Sequence, residues 1–347
     1  MQLRKRILWA LAALCIIGLT AALWVCRAYY DIYFLPNTQF QQSDVVMTFA
    51  ADTDLPTLLR QLSEGKLVRD TSQFRRYLGA SRARTFRVHG RYTLTRGMST
   101  RSMVNLFLSR RQTPVNLVVP SVRTFQELAG RIARQLELDS AELYETLSSP
   151  STPQQYGFTP PTFYAMFVPN TYQVYWTVTP DQLLERLHRE YDAFWNGRRM
   201  SQAMAANLTP VQVYTLASIV QEEVFHAEEL PIVAGVYINR LRIDMPLQAC
   251  PTAKFAAGDM TITRVLTRHT RIESPYNTYR QPGLPPGPIR IASIQAIDAV
   301  LGYQRHDYLF FCARADFSGH HHFSRTALQH AAYAREYQRV LNRRGIR

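Results

Sequence analysis

TPVQVYTLASIVQEEVFHAEELPIVAGVYINRL, residues 209–241, contains two apolar segments of helical length on either side of a short turn rich in glutamate. Thr209 and Pro210 are typical of the N-cap and the first position of a helix, so the first segment predicts a helix that runs to about Val224. The second segment repeats apolar residues at helical spacing and predicts another helix. We therefore expect two apolar helices that meet at an acidic turn.

Helical periodicity assigns the glutamates of this stretch to different faces. At 100° per residue, Glu223 shares a face with the apolar residues three, four and seven positions before it. Glu222 lies over a more polar strip of the same helix. Glu229 precedes the apolar face of the second helix, whereas Glu228 aligns less fully with apolar positions. Glu223 and Glu229 are therefore predicted to point toward apolar packing.

A carboxyl group on an apolar face has a chemical consequence. Burial disfavours the ionised form, so the pKa of Glu223 should rise unless a cation or several donors compensate. A raised pKa is what a general acid needs near neutral pH. A structural role is the alternative, in which Glu223 pairs with Arg240 or Arg242 or caps the next helix.

The first residues predict a membrane anchor. Arg4, Lys5 and Arg6 precede an uncharged apolar run at residues 7–26, close to the roughly 20 residues that a helix needs to cross a bilayer. A cleaved signal peptide is the alternative, but its apolar run is usually shorter and no clear Ala-x-Ala site follows here. The positive-inside rule places residues 1–6 in the cytoplasm and the rest of the chain outside the membrane.

Composition limits the classes of partner. The chain has 347 residues, and its hydrophobic content of 46% suits packed cores. Its formal net charge of +14 fits either a solvated basic surface or attraction to an anionic polymer or lipid. No zinc-finger spacing or aromatic RNA-binding strand accompanies the arginines, so no nucleic-acid partner is predicted.

The cysteines and histidines indicate neither a disulfide framework nor a metal site. Only Cys250 and Cys312 lie outside the apolar run, and the sequence does not decide whether they pair. Residues 320–322 are consecutive histidines, and His306 lies nearby in the sequence. Adjacent residues of a strand point to opposite faces, so we expect a polar strand end rather than a three-ligand cluster.

The rest of the chain divides by composition and periodicity into three parts. Residues 27–44 read as a linker, residues 45–115 as a small α/β unit and residues 116–347 as a larger mixed domain. The predicted fold class is α+β, with an N-terminal transmembrane helix.

Local patterns predict the first elements of these parts. In the small unit, leucines at helical spacing predict a helix that ends at Gly65. Residues 85–111 predict a strand, a turn, a second strand, a turn and a helix. The larger domain opens with a strand between Pro114 and Pro120, followed by an amphipathic helix capped by Ser121.

SPYNTYRQPGLPPGPIRIAS, residues 274–293, combines tyrosines with a proline-rich segment. The prolines and glycines exclude a helix or a central strand and predict a stiff, extended surface segment. Tyr276, Asn277, Thr278 and Tyr279 offer hydroxyls, an amide and aromatic faces, a mixture that suits sugar rings. Tyrosines that simply pack on a core are the alternative.

Taken together in this order, the motifs of the chain resemble the endolytic murein transglycosylases, also called the YceG-like family. The motifs are LASIVQEEV (216–224), VYINRLR (236–242), MPLQACPT (245–252), YNTYRQPGLPPGPI (276–289) and DYLFFCA (307–313), with FVPNTYQVYW (167–176) and GHHHFSRTALQH (319–330) as further matches.

The resemblance implies a single-pass enzyme of the inner membrane, with a LysM-like unit at residues 45–115 and a periplasmic transglycosylase domain at 116–347. Such enzymes cut nascent peptidoglycan strands between N-acetylmuramic acid and N-acetylglucosamine, form a 1,6-anhydro sugar and end strand elongation. The implied partners are glycan strands, the membrane and peptidoglycan synthases or division proteins. No cofactor and no metal are implied.

The resemblance also implies roles for single residues. The catalytic glutamate of the family matches Glu223, the residue that the helical arithmetic selected. Residues in supporting or substrate-binding positions are Glu229, Asn239, Gln248, Tyr276, Asn277, Thr278 and Tyr279. Gln221, Cys250 and Phe255 depart from the family pattern, in which glutamate, aspartate and tyrosine are common at these positions. These departures leave the polar surroundings of the acid open.

Two other functions fit part of the sequence. A noncatalytic, membrane-anchored scaffold that binds peptidoglycan would share the anchor and the basic surface but would not need Glu223 on an apolar face. A hydrolase would differ from a lytic transglycosylase only in its product, because water rather than a sugar hydroxyl would attack the glycan.

Overall fold

The structure is a computed structural model that describes residues 2–344. The chain forms two compact units. The first comprises the residues up to Val115 together with Gln173–Thr177, and the second comprises Asn116–Tyr172 and the residues from Val178 onward. Helices and strands occur in both units, so the predicted mixed α+β class is confirmed.

The first unit is built from four helices and an antiparallel strand pair. The elements are α1 (Gln2–Tyr33), β1 (Asp44–Asp54), α2 (Leu55–Glu64), α3 (Ser72–Thr85), β2 (Arg87–Thr95) and α4 (Thr100–Leu108). β1 pairs with β2, and α2 and α3 connect them. The side chain of Asp54 caps α2 by accepting a hydrogen bond from the backbone N–H of Thr57 at 2.9 Å. Leu58 and Leu62 of this helix are fully buried in the core of the unit.

α1 is the apolar N-terminal helix. Its candidate membrane span, Arg4–Tyr33, has a mean hydropathy of 2.3 and no buried residues in its most apolar window. The helix includes residues 27–33, which the sequence analysis assigned to a linker. No glycine or proline lies between Arg27 and Pro36, so nothing stops the helix at residue 26.

β2 corrects the prediction of two short strands separated by a turn. One continuous strand forms, and Gly90 adopts a φ of 122° within it. Glycine tolerates this conformation, which other residues rarely adopt. A Cβ added at Gly90 would also lie 2.3 Å from the side chain of Gln112. The glycine that suggested a turn therefore allows a close packing contact inside a strand.

The second unit contains most of the helices. Its α-helices are α5 (Phe125–Ala133), α6 (Ser140–Ser148), α7 (Thr152–Gln155), α8 (Pro180–Phe194), α9 (Gly197–Ala205), α10 (Pro210–Glu223), α11 (Leu230–Arg242), α12 (Cys250–Ala256), α13 (Thr267–Thr270), α14 (Ile294–Leu301) and α15 (Ala327–Arg343). Two 3₁₀ helices span Pro160–Met166 and Ala227–Glu229. β5 (Phe310–Ala313) and β6 (His321–Ser324) are strands of this unit, whereas β3 (Val115–Val119) and β4 (Asn170–Val174) each contain residues of both units. β3 pairs with β4, and β5 pairs with β6 in antiparallel register.

α10 is the central helix of this unit. Every residue from Val213 to Val220 is buried, and the helix packs against α11, α12 and α14. The predicted cap is confirmed: the Thr209 hydroxyl accepts a hydrogen bond from the backbone N–H of Gln212, and the Gln212 side chain accepts one from the backbone N–H of Thr209. The helix ends at Glu223, one residue before the predicted end.

Two local predictions in this unit are wrong. Thr124, not Ser121, caps α5, because the Ser121 hydroxyl donates to the carbonyl oxygen of Ile291 at 2.6 Å. The proline-rich segment forms no helix or strand, but it does not lie wholly on the surface. Gly287 is buried so close to the carbonyl oxygen of Pro161 that an added Cβ would lie 1.9 Å from it.

Candidate functional site

Glu223 is the last residue of α10, and its carboxyl group faces α11. The hydroxyl of Tyr237 donates a hydrogen bond to Oε1 of Glu223 at 2.9 Å. Tyr237 itself is almost fully buried, so its position is fixed by the packing of α11 against α10. Glu223 remains partly exposed. The end of α10 thus presents a carboxyl group that is held by one neutral side-chain donor and is still accessible.

The surroundings of Glu223 raise its pKa to about 7. Burial is the largest cause, because it penalises the charged form. The hydrogen bonds from Tyr237 and from the backbone N–H of Cys250 act in the opposite direction, as do the more distant charges of Lys254 and Arg240. A pKa near 7 leaves a substantial protonated fraction at neutral pH.

The alternative ion pair with Arg240 or Arg242 does not form among the described residues. Arg240 donates from Nε to the carbonyl oxygen of Leu309 at 2.6 Å and from Nη1 to that of Leu247 at 2.7 Å. Arg242 donates to the hydroxyl of Tyr303 at 2.6 Å. Both arginines are therefore engaged elsewhere, and within residues 2–344 the carboxyl group of Glu223 has no cationic partner at ion-pair distance.

Glu222 has the opposite surroundings. Its carboxylate forms ion pairs with Arg123, at 2.9 Å, and with Arg290. The side chain of Glu222 is only 8% exposed. Burial alone would raise its pKa, but the hydrogen bonds and charges of the two arginines outweigh this effect and lower it. Glu222 is therefore an ionised structural residue.

Glu229 lies at the end of the short 3₁₀ helix before α11 and is buried, as predicted, but among polar partners. Its carboxylate accepts hydrogen bonds from the backbone N–H of His321 at 2.9 Å and from Nδ1 of the same residue at 2.7 Å. Nδ1 of His320 lies 3.3 Å from Oε1 of Glu229. Burial alone would raise the pKa of Glu229, but these hydrogen bonds lower it. Glu229 thus ties the start of α11 to β6.

Cys250 and Tyr279 lie beside the proposed acid. The Sγ atom of Cys250 is 3.4 Å from the hydroxyl of Tyr279. Burial and the neighbouring charge of Glu223 raise the pKa of the Cys250 thiol to about 11, so the thiol is neutral. Burial also raises the pKa of Tyr279. Cys250 and Cys312 are both free, which answers the question of whether they pair.

The other predicted residues of the 276–279 segment divide between packing and support. The Tyr276 ring packs against Phe255 with centroids 4.7 Å apart. Asn277 is buried and donates to the carbonyl oxygen of Ile272 at 2.8 Å. Thr278 is buried and shares a hydrogen bond of 2.7 Å with the hydroxyl of Thr252. Asn277 and Thr278 therefore hold the segment that presents Tyr279.

Gln248 and Asn239 differ in their relation to solvent. Gln248 is exposed, has a φ of 50° and donates from its backbone N–H to the carbonyl oxygen of Thr278 at 3.0 Å. The amide of Asn239 donates to the carbonyl oxygens of His306 at 2.7 Å and Tyr308 at 3.1 Å. Asn239 thus fixes the approach to β5, whereas the side chain of Gln248 is available to meet a ligand.

Sequence reasoning missed three residues of this region. Tyr237 carried one signal, a hydroxyl on an otherwise apolar helix face, which must find a polar partner when buried. Arg123 and Arg290 carried none. They lie about 100 and 70 residues from Glu222 along the chain, and such pairings follow only from the tertiary fold. Gln221, which departs from the family pattern, has a structural role. Its side-chain amide donates to the Ser121 hydroxyl and accepts from the backbone N–H of Ser293.

One group of residues in the second unit could hold a metal ion. His226, Glu228 and His320 each offer one ligand atom, and these atoms lie within 4.8 Å of one another. Of the three consecutive histidines at residues 320–322, only His320 belongs to this group.

The fold and the site define a mixed α+β protein in which Glu223 is a partly exposed carboxyl group with a raised pKa, an arrangement suited to general acid–base chemistry. The chain belongs to the YceG-like family, whose model matches residues 47–336. The family that the motifs predicted is therefore confirmed.

Relatives of known name are similar over parts of the chain. The endolytic murein transglycosylase of Bacillus subtilis is 38% identical over 126 residues, which cover 36% of this chain and 34% of that protein. The endolytic murein transglycosylase of Streptococcus pneumoniae is 32% identical over 149 residues, which cover 42% of this chain and 27% of that protein. The matched regions thus span about a third of these relatives.

The fold is also similar to a solved structure. A crystallised protein of Listeria monocytogenes that is described as YceG-like superposes with a TM-score of 0.54 and 24% identity. The superposition covers 84% of this chain and 98% of that one. This likeness supports the described fold.

Proposed function

We propose that this protein is an endolytic lytic transglycosylase that cuts nascent peptidoglycan strands. The proposal rests on family membership, on the names of the relatives and on Glu223, a carboxyl group with a pKa of about 7 and no cationic partner among the residues that the structure describes. The last of these observations carries the mechanism. A scaffold that only binds glycan would gain nothing from a carboxyl group that is difficult to ionise.

Glu223 acts first as a general acid. Its proton passes to the glycosidic oxygen between N-acetylmuramic acid and N-acetylglucosamine, and the bond from that oxygen to C1 breaks. The resulting carboxylate accepts the proton of the muramyl C6 hydroxyl as its oxygen bonds to C1. The product is a 1,6-anhydro sugar, Glu223 is protonated again and no water is consumed.

The neighbours of Glu223 have supporting roles in this mechanism. Tyr237 orients the carboxyl group through its hydrogen bond of 2.9 Å, and the backbone N–H of Cys250 stabilises the carboxylate after proton transfer. Tyr279 is partly exposed and Gln248 is exposed, and both contact the sugars. Glu229 acts indirectly, because it holds β6 against the start of α11.

The remaining parts of the chain bring the site to its substrate. α1 anchors the protein in the inner membrane with the N-terminus in the cytoplasm, so that the body lies in the periplasm, where new glycan is made. After α1, the first unit has the order strand, helix, helix, strand, helix and is proposed to bind glycan as a LysM-like domain. Cleavage at the membrane surface then ends strand elongation, next to peptidoglycan synthases or division proteins.

Product analysis tests this function and separates it from its alternatives. The full chain in detergent is incubated with purified murein, and the released fragments are identified by mass. Anhydromuramic ends support the transglycosylase. Reducing muramic ends, heavier by one water, would identify a hydrolase, and binding without any fragments would identify a scaffold. Glu223→Gln serves as the matched inactive variant.

A further inference from the structure

Phe225 is the most exposed of the large apolar side chains that the structure describes, at 86%. It lies in the turn between α10 and α11, two residues after Glu223. Single exposed apolar residues are common on protein surfaces and need no special explanation. Phe225 differs from them because it combines a position beside the proposed acid with a firmly held backbone.

The backbone keeps the Phe225 ring close to the acid. Val224 connects the two residues in an extended conformation, with a φ of −112° and a ψ of 141°. An extended chain rises about 3.3 Å per residue, so the Cα atoms of Glu223 and Phe225 are about 6–7 Å apart. This separation is comparable with the length of one sugar unit in a glycan strand. A strand whose cleaved linkage lies at Glu223 can therefore place a neighbouring sugar on Phe225.

The β5–β6 hairpin borders both the acid and the aromatic ring. Phe311 of β5 packs edge to face with Tyr237, the residue that holds Glu223, with ring centroids 5.7 Å apart. Gly319, in the turn of the same hairpin, lies against Phe225, because a Cβ added at Gly319 would be 3.4 Å from Cδ1 of the ring. The acid and the ring therefore flank one hairpin.

His226 supports the turn that carries Phe225. Its ring packs edge to face with Phe225, with centroids 5.2 Å apart, and its Nε2 donates to the carbonyl oxygen of Ser318 at 2.7 Å. The other contact of His226 is a parallel stack on His320, with centroids 3.9 Å apart. Parallel rings do not direct their in-plane lone pairs at one ion, so this stack is a packing contact. Phe225 is thus an open ring on a fixed turn.

The chemistry of a sugar ring suits such a platform. The face of a benzene ring is electrically negative. The face of a pyranose presents C–H groups, which are apolar and slightly positive, whereas its hydroxyls point outward from the ring edge. Stacking therefore removes apolar surface of both rings from water and leaves the sugar hydroxyls free to form hydrogen bonds.

A lipid surface is the other chemistry that could cover an exposed aromatic ring. Segments that lie in a membrane interface combine several apolar residues with lysine or arginine, which attract anionic lipids. Residues 223–239 contain three glutamates and no lysine or arginine. The exposed neighbours of Phe225 in the turn are Ala227 and Glu228, so no apolar patch surrounds the ring. These observations favour the sugar.

We propose that Phe225 is a substrate-binding residue that stacks on one sugar ring of the glycan strand, next to the linkage held at Glu223. This inference rests on the proposed function, because the strand must lie at Glu223. The Phe225 ring does not touch the reacting atoms. It therefore holds the substrate and the transition state equally, which lowers KM and leaves kcat almost unchanged.

Cleavage kinetics with soluble, uncrosslinked glycan strands test this role in the full chain in detergent. Phe225→Ala should raise KM about 2- to 12-fold, the range expected for one aromatic stacking contact, with kcat within about twofold. Because the side chain is exposed, the melting temperature should not change. Phe225→Trp keeps an aromatic face and should retain the KM of the unchanged chain.

Met204→Ala is the matched control. Met204 is also an exposed apolar residue, at 69%, but it belongs to α9, which precedes α10. α10 has 14 residues, so its start lies about 20 Å from Glu223. Its KM and kcat should equal those of the unchanged chain. Cleavage with the same KM in Phe225→Ala as in this control would overturn the stacking role and leave the proposed function intact.

A binding experiment without cleavage separates the two proposals. Phe225→Trp is combined with Glu223→Gln, and the fluorescence of the added indole is recorded as glycan strands are titrated in, with Glu223→Gln alone as the blank. A blue shift that saturates is expected, and it would support stacking even if the Glu223-containing chain proved unable to cleave. No change on adding glycan would overturn the proposal, and so would an indole that is already blue-shifted in lipid vesicles without glycan, which would indicate a membrane contact.

Discussion

Glu222 and Glu223 are adjacent in the chain, but their carboxyl groups end in opposite surroundings. Glu222 meets two arginines and has a lowered pKa, whereas Glu223 meets a tyrosine hydroxyl and has a pKa of about 7. Both side chains have limited access to solvent, so burial alone does not distinguish them. The partners do. A buried carboxyl group becomes a candidate general acid only where no cationic side chain lies beside it.

The largest expected effect is on activity. Glu223→Gln keeps the volume of the side chain and its hydrogen bond from Tyr237 but removes the transferable proton. We expect the rate of glycan cleavage to fall by about 10²–10⁴-fold, the usual contribution of a placed general acid–base group. Glu222→Gln, measured per folded molecule, should stay within about tenfold of the unchanged protein. Equal losses in the two variants would contradict the assignment of the acid to Glu223.

The second effect is on stability, and here Glu222→Gln is expected to cause the larger loss. Glu222→Gln leaves Arg123 and Arg290 without their counter-charge, and we expect the free energy of unfolding to fall by about 2–4 kcal/mol, less than for a fully buried pair because Arg123 is half-exposed. This loss should shrink as the pH falls below about 4.5, where Glu222 of the unfolded chain takes up a proton, and should disappear once the pH is below the lowered pKa of Glu222 in the folded protein.

A surface ion pair provides the matched control for this loss. Glu273 pairs with Arg280 at 3.3 Å, and its side chain is 87% exposed. Glu273→Gln should change the free energy of unfolding by less than about 1 kcal/mol. Denaturant unfolding of both variants measures the two losses. Similar losses would mean that the ion pairs of Glu222 with the arginines stabilise the fold no more than an exposed ion pair does.

Glu223→Gln should stabilise the protein at alkaline pH. The pKa of Glu223 is raised on folding, so the unchanged protein loses stability as the pH rises from about 4.5 to about 7, where the buried group becomes ionised. The variant avoids this penalty of about 3 kcal/mol at pH 8 and should equal the unchanged protein below pH 4. Denaturant unfolding across this pH range checks the sign. A variant that is less stable at pH 8 would indicate a structural ion pair.

The smallest expected effect concerns Tyr237. Its hydrogen bond favours the charged form of Glu223 and lowers the pKa. Tyr237→Phe removes that bond, so the pKa of Glu223 should rise and the alkaline limb of the pH–rate profile should move to higher pH. Tyr303→Phe alters a tyrosine that bonds Arg242 instead and serves as the control. A limb that stays in place would show that Tyr237 does not act on the carboxyl group, and a limb that moves to lower pH would show that Tyr237 favours its protonated form.

For α10, the sequence predicted the local features of the helix better than the distant residues that its glutamates contact. Thr209 and Pro210 were sufficient to place the start of α10, because a helix cap depends on neighbouring residues. Helical periodicity placed Glu223 on the apolar face of α10, and in the structure its carboxyl group accepts a hydrogen bond from Tyr237 of α11. The polar strip under Glu222 was misleading, since Thr215 and Ser218 are also buried. The arginines that reach Glu222 come from distant segments, and no local pattern could have indicated them.

Direct titration of the Glu223 carboxyl group tests the central claim. The full chain, labelled with ¹³C at glutamate side-chain carboxyl carbons, is followed by NMR against pH in detergent, with Glu223→Gln to assign the signal, and the rate of murein cleavage is measured over the same range. We predict one signal that titrates near pH 7, is absent from the variant and coincides with the alkaline limb of the rate. A Glu223 signal that titrates below pH 5, or a rate that does not follow it, would contradict the account.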